Sequence, residues 1–396
     1  MVIGREVTVL GAGVAGLAVA RALALRGARV TVLEQAPEIR EVGAGLQISP
    51  NGARVLEALG LGDALDAAGT RAASVELRDG ETGDMVLSLD LARHRPERAF
   101  RFVHRADLIA LLAEGARAAG VQIRLLQQVD EVRLGDHPPR LVTRHGAEIE
   151  CDLLIGADGL HSRVRAALNG AVAPFFTGQV AWRAVLPADP ATIPPVAQVH
   201  MGPGRHLVTY PLRGGTLRNI VAVEERRRWV EESWSLTDDP MALRLAFQDF
   251  APDVRGWLDQ VEAPGLWGLF RHPVASRWHG QGAAILGDAA HPTLPFLAQG
   301  AVMALEDAWV LAACLAAEAE AETALARYQA RREDRVRRIV DAASANARAY
   351  HLSGLMRDIG HMGLRLAGAL APGRVLGRFD WIYDHDVTAE DRTRAG

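Results

Sequence analysis

The chain opens on a strand, a glycine-rich turn and a helix, and few local patterns restrict a fold more. Glu6-Val-Thr-Val-Leu10 is a short apolar run, followed at once by Gly11-Ala-Gly-Val-Ala-Gly16 and by the strong helix former Leu17–Arg26. Gly27 ends that helix, and Ala28–Leu33 is a second apolar run closed by Glu34. Together they spell a βαβ unit with G-x-G-x-x-G at its first turn. Gly11 permits the tight turn, Gly13 lets a pyrophosphate approach the backbone, and Gly16 lets helix and strand pack closely. The helix N-terminus offers unpaired N–H groups and a positive dipole end to phosphates. Glu34, about 20 residues on, sits where a carboxylate accepts the two hydroxyls of an adenosine ribose. The expected ligand is FAD or NAD, and this stretch alone leaves the two open.

Composition narrows the chemistry. All 44 Lys+Arg residues are arginine, so a Schiff-base lysine and a Walker lysine are both excluded. Net charge is −4, which gives no nucleic-acid footprint. Cys151 and Cys314 are far apart with no His or Cys beside them, so neither a disulfide framework nor a metal site is expected, and a reducing cytoplasm fits. The N-terminus enters a strand at once, leaving no room for a signal peptide, and no uncharged apolar run reaches the ~18 residues of a membrane span.

Further along, Ile39–Pro50 reads as a loop and Asn51–Leu59 as a helix. Ser74–Leu91 alternates like a hairpin, Arg93–Arg101 reads as exposed charge, and Asp107 is a plausible cap for a helix over Leu108–Ala119. Asp152–Gly159 and Ala283–His291 are buried strands ending in acidic turns. Between them, Gln179–Leu186, Ala197–Met201, His206–Pro211 and Arg218–Glu224 indicate an antiparallel sheet in a second domain, where Trp229, Trp234, Trp257 and Trp267 are expected to pack. Ala301 begins a long helix to Ala317, and the charged stretch Glu318–Arg348, with Arg331, Arg332, Arg335, Arg337 and Arg338, reads as a solvated or dimer-facing helix.

Three stretches taken together, Gly11–Gly16 with Glu34, Asp152–Arg165 and Gly287–Asp307, resemble the single-component FAD-dependent aromatic hydroxylases. Within that family, Gly43–Asn51 and Ala298–Asp307 are most similar to the salicylate, 3-hydroxybenzoate and 6-hydroxynicotinate hydroxylase branch. The resemblance implies an α/β fold: a Rossmann-like FAD-binding domain with a parallel sheet, a β-rich substrate domain and a helical C-terminal region. It divides the chain into FAD-binding segments 1–72, 98–173 and 276–320, a substrate hairpin 73–97, a substrate domain 174–275 and a helical region 321–396. It implies noncovalent FAD, NADH or NADPH as co-substrate, O2, a C4a-hydroperoxide and a small aromatic substrate, in a monomer or homodimer. Asp288 matches the ribityl-binding aspartate, Arg105 the arginine at the flavin side, and Asp158 with Arg165 the motif tied to pyrophosphate and nicotinamide donor. Gly45 and Val129 fall on the cofactor side, and the N–H groups of Gly300 and Ala301 face the flavin pyrimidine edge. The absence of a second strand–GxGxxG–helix unit argues against a two-domain reductase.

On the substrate side, His206 and Tyr210 lie four apart, so on a strand both face one side. The related hydroxylases carry such a His-x-x-x-Tyr at the substrate, which makes the pair the catalytic candidates. Gln47, Pro295, Phe296, Trp182 and Arg183 are pocket candidates, and at most one of Trp182 and Arg183 faces the ring because neighbours on a strand point oppositely. Gln47 and Phe296 stand where the 6-hydroxynicotinate enzymes place histidines, which favours a more apolar aromatic. The alternatives are the same chemistry on a non-aromatic or polycyclic acceptor, an NAD-dependent dehydrogenase, and a flavin-bound redox sensor.

Overall fold

A computed structural model describes residues 2–39, 44–135, 138–226 and 237–389. Gly43, Trp229 and Trp234, invoked above, lie outside them.

Val/Leu-rich runs too apolar to face water on either side make a parallel sheet. Glu6–Leu10 is central, with Arg29–Leu33 in register on one side and Leu154–Gly156 on the other. Ala283–Ile285 extends one edge, with the short His279–Gly280 antiparallel beside it, and Gln122–Arg124 completes the six strands at the other. The helices Val14–Ala24, Arg105–Ala118 and Gly300–Ala317 cover it, and one continuous apolar core results. Gly300–Ala317 is long and apolar enough to cross a membrane, yet most of it is buried inside this core.

A seven-stranded sheet stands beside the first and is mainly antiparallel. Phe175–Pro187, Leu217–Glu225, Arg205–Leu212 and Val196–Gly202 neighbour one another in that order, with Gly265–Arg271 at one edge. The hairpin Ser74–Asp79 and Met85–Asp90 joins the other edge, through a parallel pairing of Ser74–Asp79 with Val196–Met201. The sheet's outer face packs on the helices Pro240–Ala246 and Pro252–Asp259 with Trp257 partly buried among them.

Four local expectations are corrected. The loop read over Ile39–Pro50 contains a strand, Gly45–Ile48, paired with Arg101–His104. The helix expected from Leu108 begins at Arg105, and its cap is His104, whose Nδ1 accepts from the Ala106 N–H at 3.3 Å. Asp107 instead pairs with Arg213 at 2.7 Å. The segment read as exposed charge holds Arg95 and Arg98 half-buried against Asp380 of the C-terminal region, each at 3.1 Å. The basic helix Ala321–Tyr350 is no solvated face at Arg332 and Arg335. Arg332 is 1% exposed and meets Glu306 at 2.6 Å and Asp307 at 2.7 Å, while Arg335 meets Glu306 at 2.8 Å.

Candidate active site

The two sheets enclose a cavity of about 990 Å³. On the parallel-sheet side its wall begins at the glycine-rich turn. Gly11 has φ +103°, and a side chain there would meet the Ala157 carbonyl oxygen at 2.4 Å, so the turn closes only on glycine. Gly13 lines the cavity, and an added Cβ would meet nothing within 4 Å, which leaves room for a ligand to approach the backbone. Gly16 does not line the cavity: a Cβ would fall 1.9 Å from the Gly11 carbonyl oxygen, so its role is close packing of helix on turn. The helix that follows has no side-chain cap, and its first N–H groups remain available. Glu34 lies on the rim, its carboxylate accepting from the N–H groups of Ala12 at 2.8 Å and Ala36 at 2.9 Å.

Gly45, Arg105, Val129, Asp158, Asp288, Gly300 and Ala301 all line the same cavity. Asp288 is carried by the turn Gly287–Ala289, whose Gly287 and Ala289 are buried while its own side chain is open to the cavity; desolvation pushes its carboxyl up, while His291, Arg105 and His272 pull it down. Arg105 is the mirror case, lowered by burial and raised by Asp288. Asp158 braces the start of the helix Arg163–Asn169, whose cap is Ser162: Ser162 Oγ donates to Asp158 at 2.5 Å and the Arg163 N–H at 2.7 Å. Arg165 reaches Pro273, Ala289 and Ala290 carbonyls instead, bracing the turn that bears Asp288.

Sequence reading gave no sign of what holds that turn from below. Asp307, 0% exposed, accepts from the Gly287 N–H at 3.1 Å and bonds His291 Nε2 at 2.5 Å. Beside it, Asn51 Nδ2 donates to Glu306 at 2.7 Å and to Gln299 at 3.2 Å, and Gln299 donates to Ser49 at 3.0 Å. The Ser49–Asn51 and Gln299–Asp307 stretches that carry the closer resemblance therefore form one buried network.

The antiparallel sheet supplies the facing wall. His206 and Tyr210 share a face of the Arg205–Leu212 strand and both line the cavity. Tyr210 stacks on Phe102 with ring centroids 5.0 Å apart, and burial pushes its phenol well above the usual range, against the pull of Arg183. Burial and the neighbouring His351 hold the His206 imidazole well below its ordinary value, so it is a neutral base. Arg183 faces the cavity, with its guanidinium 4.9 Å from the Trp267 ring centroid, and burial lowers its affinity for the proton. Its Nε is buried with no hydrogen-bond partner among the described residues. Trp182 is a correction: it points to the other side, buried under Phe247 with its indole N–H on Asp238 at 2.8 Å. Gln47, Pro295 and Phe296 complete the wall, and Phe296 lies 5.6 Å from the His206 ring. Leu77, Leu87, Leu89 and Leu376 add an apolar stretch to the lining of the same cavity.

A family model described as "FAD binding domain" matches residues 5–343. The chain belongs to the FAD binding domain family. Two relatives of this flavoprotein span nearly all of it. The 3-amino-4-hydroxybenzoate 2-monooxygenase of Streptomyces cremeus is 36% identical, covering 88% of each chain. The 3-hydroxybenzoate 6-hydroxylase of Polaromonas naphthalenivorans is 33% identical, covering 96% of each. Among solved structures, Klebsiella pneumoniae HpxO complexed with FAD and uric acid aligns with a TM-score of 0.81 at 26% identity, over 91% of this chain and 93% of that one. A salicylate hydroxylase substrate complex aligns with a TM-score of 0.82 at 24% identity, over 98% and 97%, and shows the shared fold. The expected family, the α/β fold and the FAD-dependent monooxygenase class are thus borne out. FAD fits the residues present, since Gly13 offers open backbone, Glu34 and Asp288 bring carboxylates to the same cavity, and the helix that follows the glycine-rich turn has no side-chain cap on its N–H groups.

Proposed function

We propose that this flavoprotein hydroxylates a small phenolic acid, using NADH or NADPH and O2. One observation carries the reading: a single cavity is lined both by the glycine-rich turn, Glu34 and Asp288 and by His206, Tyr210 and Arg183. Under this reading Gly11, Gly13, Glu34, Arg105, Asp158 and Asp288 hold FAD, with Gly45, Val129, Gly300 and Ala301 against it. Bound FAD supplies the redox chemistry, taking reducing equivalents from the nicotinamide and activating oxygen. The division of the chain into FAD-binding and substrate segments given above belongs to the same proposal, supported by the separate membership of the two sheets.

The protein's own residues do the rest. Ionising a phenol costs ~4 kcal/mol at neutral pH. Tyr210, kept as a neutral O–H, donates to the phenolic oxygen, and neutral His206 accepts its proton. Arg183 pairs with the substrate carboxylate, which suits a half-buried guanidinium whose enclosed Nε has no partner among the described residues. The two packed sheets exclude water from the reacting pair.

The apolar lining by Leu77, Leu87, Leu89 and Leu376 favours a second reading, in which the aromatic carries a bulky apolar substituent or a fused ring. One experiment separates them. FAD-loaded protein is offered hydroxybenzoates and larger phenols, with NADH or NADPH consumption and hydroxylated product both measured. Coupled turnover on a small phenolic acid supports the first reading, turnover only on bulky phenols supports the second, and nicotinamide oxidation that no aromatic stimulates refutes both.

A further inference from the structure

His206 is enclosed, being 1% exposed, and a proton it receives must leave. Its Nδ1 lies 2.6 Å from His351 Nε2, and His351 Nδ1 lies 2.7 Å from Glu225 Oε1. The three side chains run from the cavity wall outward: the His351 side chain is 3% exposed and that of Glu225 54%. Their assembly is fixed by one turn. Gly204, at φ +65°, accepts from the Glu225 N–H at 2.9 Å and donates its own N–H to the His351 carbonyl at 3.4 Å, so strand end and C-terminal region are pinned to the same residue. His351 is separated from both partners by more than a hundred residues, and the contact serves no motif of the FAD site.

We propose that His206, His351 and Glu225 form a proton relay that carries the phenolic proton from the cavity to solvent; this rests on the reading of the cavity as a phenol-hydroxylating site. The hydrogen bonds assign the tautomers. A carboxylate only accepts, so His351 holds its proton on Nδ1 and offers Nε2 as acceptor. His206 then holds its proton on Nδ1 and leaves Nε2 to accept. In the transfer, the phenol O–H bond breaks and His206 Nε2–H forms. His206 Nδ1–H breaks as His351 Nε2–H forms, and His351 Nδ1–H breaks as the Glu225 carboxyl O–H forms. Glu225 releases that proton to water. Both imidazoles end neutral, and the reverse hop resets them when the product is reprotonated. Among the described residues, the titratable groups against His206 are His351 and Tyr350, and those against His351 are His206 and Glu225, with the uncharged Gln179 at 3.4 Å. Burial disfavours imidazolium at both histidines, with Glu225 partly restoring it at His351, which suits a conduit better than a store.

The test reads the proton itself. FAD-loaded protein without nicotinamide is mixed with 3-hydroxybenzoate, or with whichever hydroxybenzoate perturbs its flavin spectrum, in weakly buffered phenol red. Wild type releases a proton in a fast phase. Glu225→Gln and His351→Gln keep FAD and ligand affinity but slow that phase roughly a hundredfold, the lower range for loss of a positioned base, while Glu225→Asp restores most of it. Release at the wild-type rate in both Gln variants overturns the relay while leaving the hydroxylase reading intact. Loss of FAD or ligand affinity in both variants, with no selective change in proton release, makes the triad a structural clamp and also overturns it. If no phenol binds, the functional reading fails and the relay with it.

Discussion

Replacing Arg183 with methionine separates binding chemistry from packing, because its two effects are predicted to differ in kind. Methionine keeps much of the side-chain volume and removes the charge. A charge-assisted hydrogen bond to a carboxylate is worth about 1.5–3 kcal/mol, which corresponds to roughly a 10- to 150-fold weaker Kd. Stability moves differently. The variant loses a cation–π contact with Trp267 at 4.9 Å, worth about 0.5–2 kcal/mol. It also relieves a half-buried guanidinium whose enclosed Nε has no partner among the described residues, a gain of similar size. The net change is therefore within about 1 kcal/mol, a shift in Tm of no more than ~4 °C. The assay is titration of FAD-loaded protein with 3-hydroxybenzoate and with phenol, followed by flavin fluorescence, alongside thermal unfolding. The acid should lose its affinity advantage and phenol should be unaffected. Arg183→Lys should recover only part of it, since an ammonium lacks the planar fork. Equal losses for both ligands would mean that Arg183 shapes the wall rather than reading the carboxylate.

Four other outcomes are expected. Asp288→Ala should weaken FAD by about 1–3 kcal/mol, read as roughly 5- to 150-fold in FAD dissociation with the fold retained by circular dichroism. Tyr210→Phe should keep FAD and consume NAD(P)H with the oxygen appearing as hydrogen peroxide in place of product, measured by the ratio of peroxide to product. Acid should unfold the protein through Glu306 and Asp307. Burial alone would raise both carboxyls, but Arg332 with Arg335 and Asn51 holds Glu306 at about 2, and His291 with Arg332 holds Asp307 at about 2, against ordinary values of 4.5 and 3.8. Folded values below unfolded ones mean stability that is complete above about 4.5 and lost as pH falls toward about 2, roughly 2–3 kcal/mol for each group. Arg332→Met, which removes the cation shared by the two carboxylates and leaves Glu306 to Arg335 and Asp307 to His291, should cost about 3–5 kcal/mol in chemical denaturation.

What the chain declares about itself depends on how local the cause is. The opening βαβ was readable because turn, helix start and terminal acid are each set by neighbours in sequence, and Gly11, Gly13 and Gly16 do in space what their spacing implies. His206 and Tyr210 were readable for the same reason, a period of two on a strand. That period also required Trp182 and Arg183 to diverge, but only the packing of Phe247 and Asp238 on the outer face decided which one turned inward. Arg332 and Arg335 misled because a charged helix looks solvated until its acidic partners, 25 to 29 positions away on another helix, are brought to it. His351 and Glu225 carry no local signal; their meeting across 126 positions is a product of tertiary structure alone.

The interleaving of the two sheets bears on how the polypeptide is made. The parallel sheet draws strands from Glu6 to Ile285, and the antiparallel one needs both Ser74–Asp90 and Gly265–Arg271. Neither can be completed until the ribosome has synthesised most of the chain, and the first hairpin must wait for a parallel partner more than a hundred positions later. Long-range parallel pairing is slow to form and leaves strand edges uncovered meanwhile. Such a nascent chain offers no early domain that can fold and stand alone, so its recovery in the cell should depend on chaperone capacity and growth temperature more than its final stability alone would indicate.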